Sequence, residues 1–292
     1  MKKAIVFGIS GQDGYYIREL LLKNNIEVIG VSRSVGDWIT GDINNLNFVT
    51  DLIKSNKPQY VFDLAANSTT KHEALFENHE TISTGTLNLL ESVYKYSQDS
   101  KVFLSGSGLQ FKNKGVPISE GDKFEASSAY SVSRIHSVYA ARYYRSLGIK
   151  VYIGYLFNHD SPLRSERHVS QKVVSAVGRI SKGSKETLEL GKIMVRKEYT
   201  FAGDVVLAIF KLVENESIFE SVIGSGVSYT LVDWLTICFG YFNLDWKNYV
   251  VINHSYKNEY DIFVSDPRTI FSLGWKPHVD IFKLAEMMIT NK

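Results

Sequence analysis

Near the amino terminus an apolar run, Lys3–Phe7, meets the turn Gly8-Ile9-Ser10-Gly11-Gln12-Asp13-Gly14, and helical spacing follows over Tyr15–Lys23. No other feature constrains the chain as much. Glycines at every third position let the backbone reverse tightly and leave room for a bound group against it. The helix opening there aims unpaired N–H groups and its positive dipole end at the turn, which suits an anion such as a pyrophosphate. A strand, a glycine turn and a helix in this order begin a βαβ unit, so the following chain should alternate strand and helix.

It does. Glu27–Val31 is a second apolar run, Leu46–Ser55 reads as helix and Tyr60–Leu64 as strand. Thr84–Tyr96 is helical, Lys101–Leu104 a strand, Ser127–Ser146 a long helix and Lys150–Phe157 a further strand. Buried strands alternating with helices predict an α/β fold, a Rossmann-type doubly wound parallel sheet with right-handed crossovers. Residues 1–157 should form this dinucleotide-binding core. After Asn158 the rhythm changes, and the stretch to Arg196 is richer in Arg, Lys, Ser and His. Ala202–Val213 returns as helix and Ser217–Ile223 as strand; the tail, Asp266 to Ile289, reads as two short helices separated at Trp275-Lys276-Pro277. Pro277 breaks any continuous helix there. Residues 158–292 are therefore read mainly as a smaller substrate lobe, with some segments returning to the core.

Composition narrows the function. Lys plus Arg number 33 against 31 for Asp plus Glu, so the chain lacks the basic field of a nucleic-acid binder. The single cysteine, Cys238, cannot form an intramolecular disulfide and reads as a small core hydrophobe; no Cys/His group has zinc spacing, so no metal is expected. The first apolar run is too short for a signal peptide and no run approaches the ~18 residues of a membrane span. The expectation is a cytoplasmic protein that binds small molecules, not membranes.

If Gly8, Gly11, Gln12, Asp13 and Gly14 cradle a dinucleotide, the end of the second strand meets its adenosine ribose. That end reads Gly30-Val31-Ser32-Arg33-Ser34. Ser32 and Arg33 leave NAD against NADP open, because Arg33 can meet a 2′-phosphate or stack on adenine. Asp42, with Ile43 beside it, is placed to bind the adenine amino group. Leu64-Ala65-Ala66 ends the next strand with residues small enough for a dinucleotide to pass.

These segments resemble the extended short-chain dehydrogenase/reductases acting on sugar nucleotides, and more narrowly the GDP-mannose 4,6-dehydratases. The matching stretches are Gly11-Gln12-Asp13-Gly14, Leu64-Ala65-Ala66, Gly85-Thr86-Leu87-Asn88-Leu89-Leu90-Glu91, Leu156-Phe157-Asn158-His159-Asp160-Ser161-Pro162, Leu188-Glu189-Leu190-Gly191 and Leu273-Gly274-Trp275-Lys276-Pro277. Together they span nearly the whole chain, and the Phe157–Pro162 stretch marks the GDP-sugar branch. The resemblance implies NAD as cofactor, a GDP-sugar as substrate, and a homo-oligomer (dimer or tetramer) built on helices 84–96 and 127–146.

It also implies roles. Tyr130, in Tyr130-Ser131-Val132-Ser133-Arg134, takes the proton of the sugar C4 hydroxyl, and Ser107 bonds the same oxygen. The family's lysine four residues after the tyrosine is replaced by Arg134, which keeps the charge but not the shape. Tyr130 and Arg134 would also contact the cofactor. Dehydratases carry a glutamate two residues after the Ser/Thr; here that position is Leu109, followed by Gln110, and neither side chain removes a proton. Glu120 and Glu125 are the nearby acids. The loop after the second strand, Ser34-Val35-Gly36-Asp37, is also shorter than the family's. In the substrate lobe the resemblance assigns Asn67, Ser68, Leu109, Asn158 and Glu259 to the sugar nucleotide. It assigns Val169, Ser170, Lys172, Leu190 and Gly191 to the guanine, and Arg196 to the diphosphate. A further family arginine falls near Tyr256, with Lys257 beside it. Short length and the missing glutamate resemble the NAD-dependent C4 dehydrogenases of GDP-manno-heptose in bacterial capsule synthesis. The expected reaction is oxidation of a GDP-sugar (mannose or manno-heptose type) at C4 without dehydration. The alternatives are a 4,6-dehydratase or a catalytically weakened cofactor binder.

Overall fold

The computed structural model describes residues 2–255 and 260–291. The core opens with β1 (Lys3–Phe7), α1 (Gln12–Lys23), β2 (Glu27–Ser32), β3 (Ile39–Thr40), α2 (Leu46–Asn56) and β4 (Tyr60–Asp63). A short helix α3 (Leu75–Asn78) runs through a π-helical turn, His79–Thr84, into α4 (Gly85–Tyr96); β5 (Lys101–Ser107), α5 (Ala129–Ser146) and β6 (Lys150–Leu156) follow. Beyond them come β7 (His159–Asp160), α6 (Val169–Ile180), β8 (Leu188–Leu190), β9 (Arg196–Glu198), β10 (Thr200–Phe201) and α7 (Ala202–Val213). The chain ends with β11 (Glu220–Ile223), β12 (Ser228–Thr230), α8 (Leu231–Gly240), β13 (Val250–Ile252), β14 (Ile262–Phe263), α9 (Arg268–Ser272) and α10 (Ile281–Thr290).

Seven strands form one sheet in the order β11-β6-β5-β4-β1-β2-β3, every pair parallel. This is the Rossmann-type doubly wound sheet. Side chains alternate across it, as a pleated strand dictates. Ile5 and Phe7 pack with Leu89, Leu90 and Val138 on one face; Ala4 and Val6 pack with Ile17, Leu21 and Ile209 on the other. Each large side chain so buried stabilises the fold by about 1.5–3 kcal/mol. The strand order reverses between β1 and β4, and the crevice at their carboxyl ends is where ligands bind in such sheets.

A third core lies in the carboxyl-terminal half, where α6, α8 and α10 pack together around the buried Trp234. Trp234 stacks on Tyr199 at 4.8 Å, and its indole N–H donates to the Ser170 carbonyl at 3.2 Å. Cys238 is buried there, and burial pushes its thiol pKa up. Two elements of this half belong to the sheet layer: β11 pairs with β6, and α7 packs on α1. Among the described residues no helix is long and apolar enough to cross a membrane.

Candidate active site

The glycine turn lies at the reversal point. Gly8 has φ +81°, and a Cβ there would stand 2.8 Å from the Ala65 nitrogen, so both the turn and the neighbouring strand end require glycine. A Cβ on Gly14 would collide with the Gly8 carbonyl and Ile9 backbone. The N–H groups of Gly8 and Ile9 both donate to the Val31 carbonyl, at 3.0 and 3.2 Å, tying the turn to β2. Gly11 precedes α1 and no side chain caps that end, which leaves the first-turn N–H groups to an anion. A groove of about 320 Å³ runs from the turn along Ser32, Arg33, Asp42 and Ile43, with Leu64, Ala65 and Ala66 on its wall. The Asp42 carboxylate accepts from the Asn44 N–H at 2.9 Å. Arg33 is exposed and pairs with Glu77 at 3.4 Å. Asn67 donates to the same carboxylate at 2.7 Å and lines neither this groove nor the cavity beyond it.

That second cavity, about 430 Å³, joins Gly8, Gly11, Gln12, Asp13 and Gly14 to Ser68, Ser107, Leu109, Tyr130, Arg134 and Asn158. Ser128 caps α5 by accepting from the Ser131 N–H at 3.1 Å, which places Tyr130 in the first turn. Arg134, one turn on, lies on the same face. Its Nε donates to the Tyr130 hydroxyl oxygen at 3.1 Å, and its guanidinium carbon is 5.1 Å from the ring centre. Another guanidinium N–H donates to the Ser105 carbonyl. Arg134 is 4% exposed, so its charge acts on the phenol with little screening. A donor and a cation at a phenol oxygen are what an ionised phenol needs. Asp63, also buried, closes the other side of this region: Ser105 Oγ donates to its carbonyl at 3.0 Å. Burial pushes the Asp63 carboxyl up to about 7, against the opposing pull of Arg134.

Ser107 ends β5 with its Oγ accepting from the Leu109 N–H at 3.2 Å. Gln110 folds back to accept from the Ser107 N–H at 2.6 Å and does not line the cavity, whereas Leu109 does. The nearby acids are committed elsewhere. Glu120 accepts from the Val222 N–H at 2.6 Å and from Thr269 at 3.1 Å, while Glu125 pairs with Lys112 at 3.8 Å. Among the described residues lining the cavity, Asp13 is the only carboxylate.

Asp13 is itself paired. His159 Nε2 lies 3.0 and 3.1 Å from its two oxygens, and His159 Nδ1 lies 2.7 Å from the Phe157 carbonyl. Both partners are oxygens that accept, an arrangement that favours the doubly protonated imidazolium. Burial works to lower the histidine and to raise the carboxyl, yet the pairing prevails: the His159 pKa is raised and that of Asp13 lowered. Ser161 Oγ donates to Gln12 Oε1 at 2.8 Å beside this pair. The two contacts fasten the start of α1 to the 157–161 segment.

In the substrate half the structure separates the residues grouped by sequence. Asn158 lines the cavity, with its Oδ1 buried and unpartnered. Val169, Ser170, Lys172, Leu190, Gly191 and Arg196 do not line it. Ser170 donates to Asp160 at 2.6 Å, Lys172 to the Glu189 carbonyl at 2.7 Å, and Leu190 is buried in the third core. Arg196 is exposed and donates to the Ser228 carbonyl at 2.7 Å. Glu259, Tyr256 and Lys257 lie outside the described residues. Arg164, His168 and Tyr260 line the cavity but were not singled out from the sequence. The basic composition of the 158–196 stretch was the available signal for the first two.

Comparison with known proteins fits this geometry. The family described as GDP-mannose 4,6 dehydratase matches residues 5–288. GDP-mannose 4,6 dehydratase 1 of Arabidopsis thaliana is 33% identical over 323 residues, covering 99% of this chain and 89% of that protein. The GDP-mannose 4,6-dehydratase of Vibrio cholerae is 28% identical over 266 residues, covering 80% of this chain and 71% of that protein. Among solved structures, UDP-glucose 4-epimerase of Thermotoga maritima with UDP-glucose superposes with a TM-score of 0.87 at 20% identity, covering 99% of this chain and 97% of the other. The dTDP-glucose 4,6-dehydratase of Bacillus anthracis in complex with NAD gives 0.87 at 16%, covering 100% and 98%. Those superpositions establish the shared fold, and the sequence match across nearly its whole length establishes that this chain belongs to the GDP-mannose 4,6-dehydratase family.

Proposed function

We propose that this chain oxidises the C4 hydroxyl of a GDP-sugar, of the mannose or manno-heptose type, to the 4-keto sugar with NAD and without dehydration. The observation that carries the reading is that Ser107, Tyr130 and Arg134 line one cavity with Leu109, and that Arg134 donates to the Tyr130 hydroxyl. The groups proposed to act at C4 line the cavity, whereas the family's glutamate position is Leu109, and the one carboxylate among the described lining residues, Asp13, is paired with His159. Residues 1–157 would hold the dinucleotide and residues 158–292 mainly the sugar nucleotide. The residues around the glycine turn fit a dinucleotide, because the uncapped α1 end and the close backbone at Gly8 accept a pyrophosphate. When bound, NAD would supply the hydride acceptor for C4. Tyr130 takes the hydroxyl proton, Ser107 orients the oxygen, and Arg134 stabilises the phenolate. Glu77 beside Arg33 disfavours a 2′-phosphate at that end, which supports NAD over NADP. Exposed Tyr139 and Tyr143 along α5, with Leu87 on α4, support pairing between copies of this chain as a dimer or tetramer.

The family's sequence similarity favours the second reading, a 4,6-dehydratase. The two differ in what leaves the sugar. A dehydratase returns the hydride to its own product, whereas oxidation alone leaves reduced cofactor that must be exchanged or reoxidised. Purified protein is incubated with NAD and GDP-mannose, then with GDP-manno-heptose, and the product is weighed by mass spectrometry while nicotinamide absorbance is followed. A product lighter by two hydrogens with matching NADH is expected. A product lighter by one water with no net NADH would establish the dehydratase instead.

A further inference from the structure

In a Rossmann-type sheet the ribose of a bound adenosine lies at the carboxyl end of the second strand, where a carboxylate ordinarily accepts from its 2′-hydroxyl. The end of β2 supplies no such group: it reads Gly30-Val31-Ser32-Arg33-Ser34. The Ser32 hydroxyl is already shared with Ser10 at 2.8 Å and Ser34 at 3.0 Å. Asp37, in the loop beyond, does not line the groove. The charged residues among the described lining are Arg33 and Asp42, and Asp42 is the acid read for the adenine amino group.

A carboxylate nevertheless arrives at the end of β2, from another element. Glu77, on α3, holds Oε1 3.4 Å from Arg33 Nη2, and Asn67 Nδ2 donates to its Oε2 at 2.7 Å. Asn67 follows Ala66, and Thr81 stands four residues after Glu77; Ala66 and Thr81 line the groove, as Arg33 does. The bridge thus joins the β2 side of the groove to the side formed by the end of β4 and the π-helical turn. Among the described residues Glu77 is the one ion-pair partner of Arg33. An ionised carboxylate offers about four acceptor sites, so these contacts leave it free to accept again.

We propose that Glu77 supplies the carboxylate that the end of β2 lacks: it accepts from the adenosine ribose hydroxyl of NAD, neutralises Arg33, and so selects NAD over NADP. Asn67 positions it. The proposal rests on the dinucleotide of the proposed function and extends Glu77 from a neighbour of Arg33 to a contact of the ribose. Arg33 and Glu77 are both half-exposed, so their ion pair stabilises the fold little. Its consequence lies in what the groove admits. A 2′-phosphate would stand against the Glu77 carboxylate, like charge on like charge, whereas a ribose hydroxyl donates to it.

Binding of NADH and NADPH, followed by nicotinamide fluorescence, tests this with no sugar present. The proteins are wild type, Glu77→Gln, Glu77→Ala, Asn67→Ala and the double variant Glu77→Gln/Arg33→Gln. Wild type should bind NADH more tightly than NADPH. Glu77→Gln removes the charge and should tighten NADPH by about 10-fold, and adding Arg33→Gln should cancel that gain. Glu77→Ala should weaken NADH by about 10-fold, the effect of one charge-assisted hydrogen bond, and Asn67→Ala by less. The 2′-deoxyadenosine analogue of NADH lacks the donor and should bind wild type and Glu77→Ala alike. An NADH-to-NADPH preference unchanged in Glu77→Gln would overturn the proposal, as would an equal loss of NADH and its deoxy analogue in Glu77→Ala. Tighter binding of NADPH by wild type would overturn it together with the choice of NAD, and leave the C4 chemistry standing. Failure of wild type to bind either nucleotide would overturn the dinucleotide site and this proposal alike. The expected variant pattern in a protein that oxidises no GDP-sugar would refute the proposed function and leave Glu77 in its place.

Discussion

Replacing His159 by Leu removes one partner of a pair that is nearly enclosed: the side chains of His159 and Asp13 are 10% and 21% exposed. Asp13 would keep only a long contact from Gln12, at 3.3 Å. Truncating one partner of a buried ion pair costs about 3–5 kcal/mol, chiefly because the other charge stays behind. Partial exposure of Asp13 places this pair at about 3 kcal/mol, near the lower end. The pH dependence follows from the directions of the two shifts. The His159 pKa is raised on folding, so its contribution is complete below about 6.5, the unfolded value, and is lost as pH rises through the folded one. The Asp13 pKa is lowered, so its contribution is complete above about 3.9 and is lost as pH falls through its folded value. Urea denaturation between about pH 5 and 9 reads the upper limb. Wild type should weaken as the histidine deprotonates; His159→Leu should be weaker throughout and lack that limb. A loss below about 1 kcal/mol, or a variant whose stability falls with pH in parallel with wild type, would refute an imidazolium–carboxylate pair at this position.

Three further outcomes follow from Tyr130, Arg134 and the buried Asp63 near them. The Asp63 carboxyl is raised to about 7, so its contribution is complete below about 3.9 and is lost as pH rises through about 7; wild type forfeits up to ~4 kcal/mol on the way. Asp63→Asn should therefore be more stable than wild type at about pH 8 and show little gain near pH 4, by thermal melting; an unchanged pH slope would remove Asp63 as its source. Tyr130→Phe should slow single-turnover NADH formation by about 10²- to 10⁴-fold while GDP still binds, and normal turnover would exclude Tyr130 as the base. Arg134→Lys keeps the cation but not the fork that reaches both Tyr130 and Ser105, so the same rate should fall by about 10-fold and Arg134→Met by more; equal rates in the two would show that the charge is not used.

How far the sequence revealed this architecture depended on the distance over which each feature is decided. β1 was legible to the residue, because an apolar run ended by glycine is a local signal. Helix α1 begins at Gln12, not Tyr15, since its first turn is the glycine turn itself and carries no apolar stripe. Strand β5 runs to Ser107, past the expected Leu104: Ser105, Gly106 and Ser107 are polar or small because they border the cavity, and so they read as a loop. Conversely β11 starts at Glu220, not Ser217, because Asn215 caps a turn by accepting from the Ser217 and Ile218 N–H groups at 2.8 and 2.7 Å. Helices α6 and α8 were not read at all. Yet Val173, Val174, Val177 and Ile180 set an apolar stripe at helical spacing along α6; what the sequence leaves unmarked is that this stripe meets α8 and α10.

The same rule sorts the site. Tyr130 and Arg134 stand four apart on one helix, a spacing that fixes their contact locally, and Leu109 follows Ser107 on one turn. Their proximity was legible. His159 meets Asp13 across 146 positions, and Arg196 is turned away by Ser228, 32 positions on. Strand register and lobe packing decide both, and no spacing within the chain encodes them. The resemblance could name Arg196 as a phosphate ligand because it matches position by position; it could not say where the side chain points once β12 offers it a carbonyl.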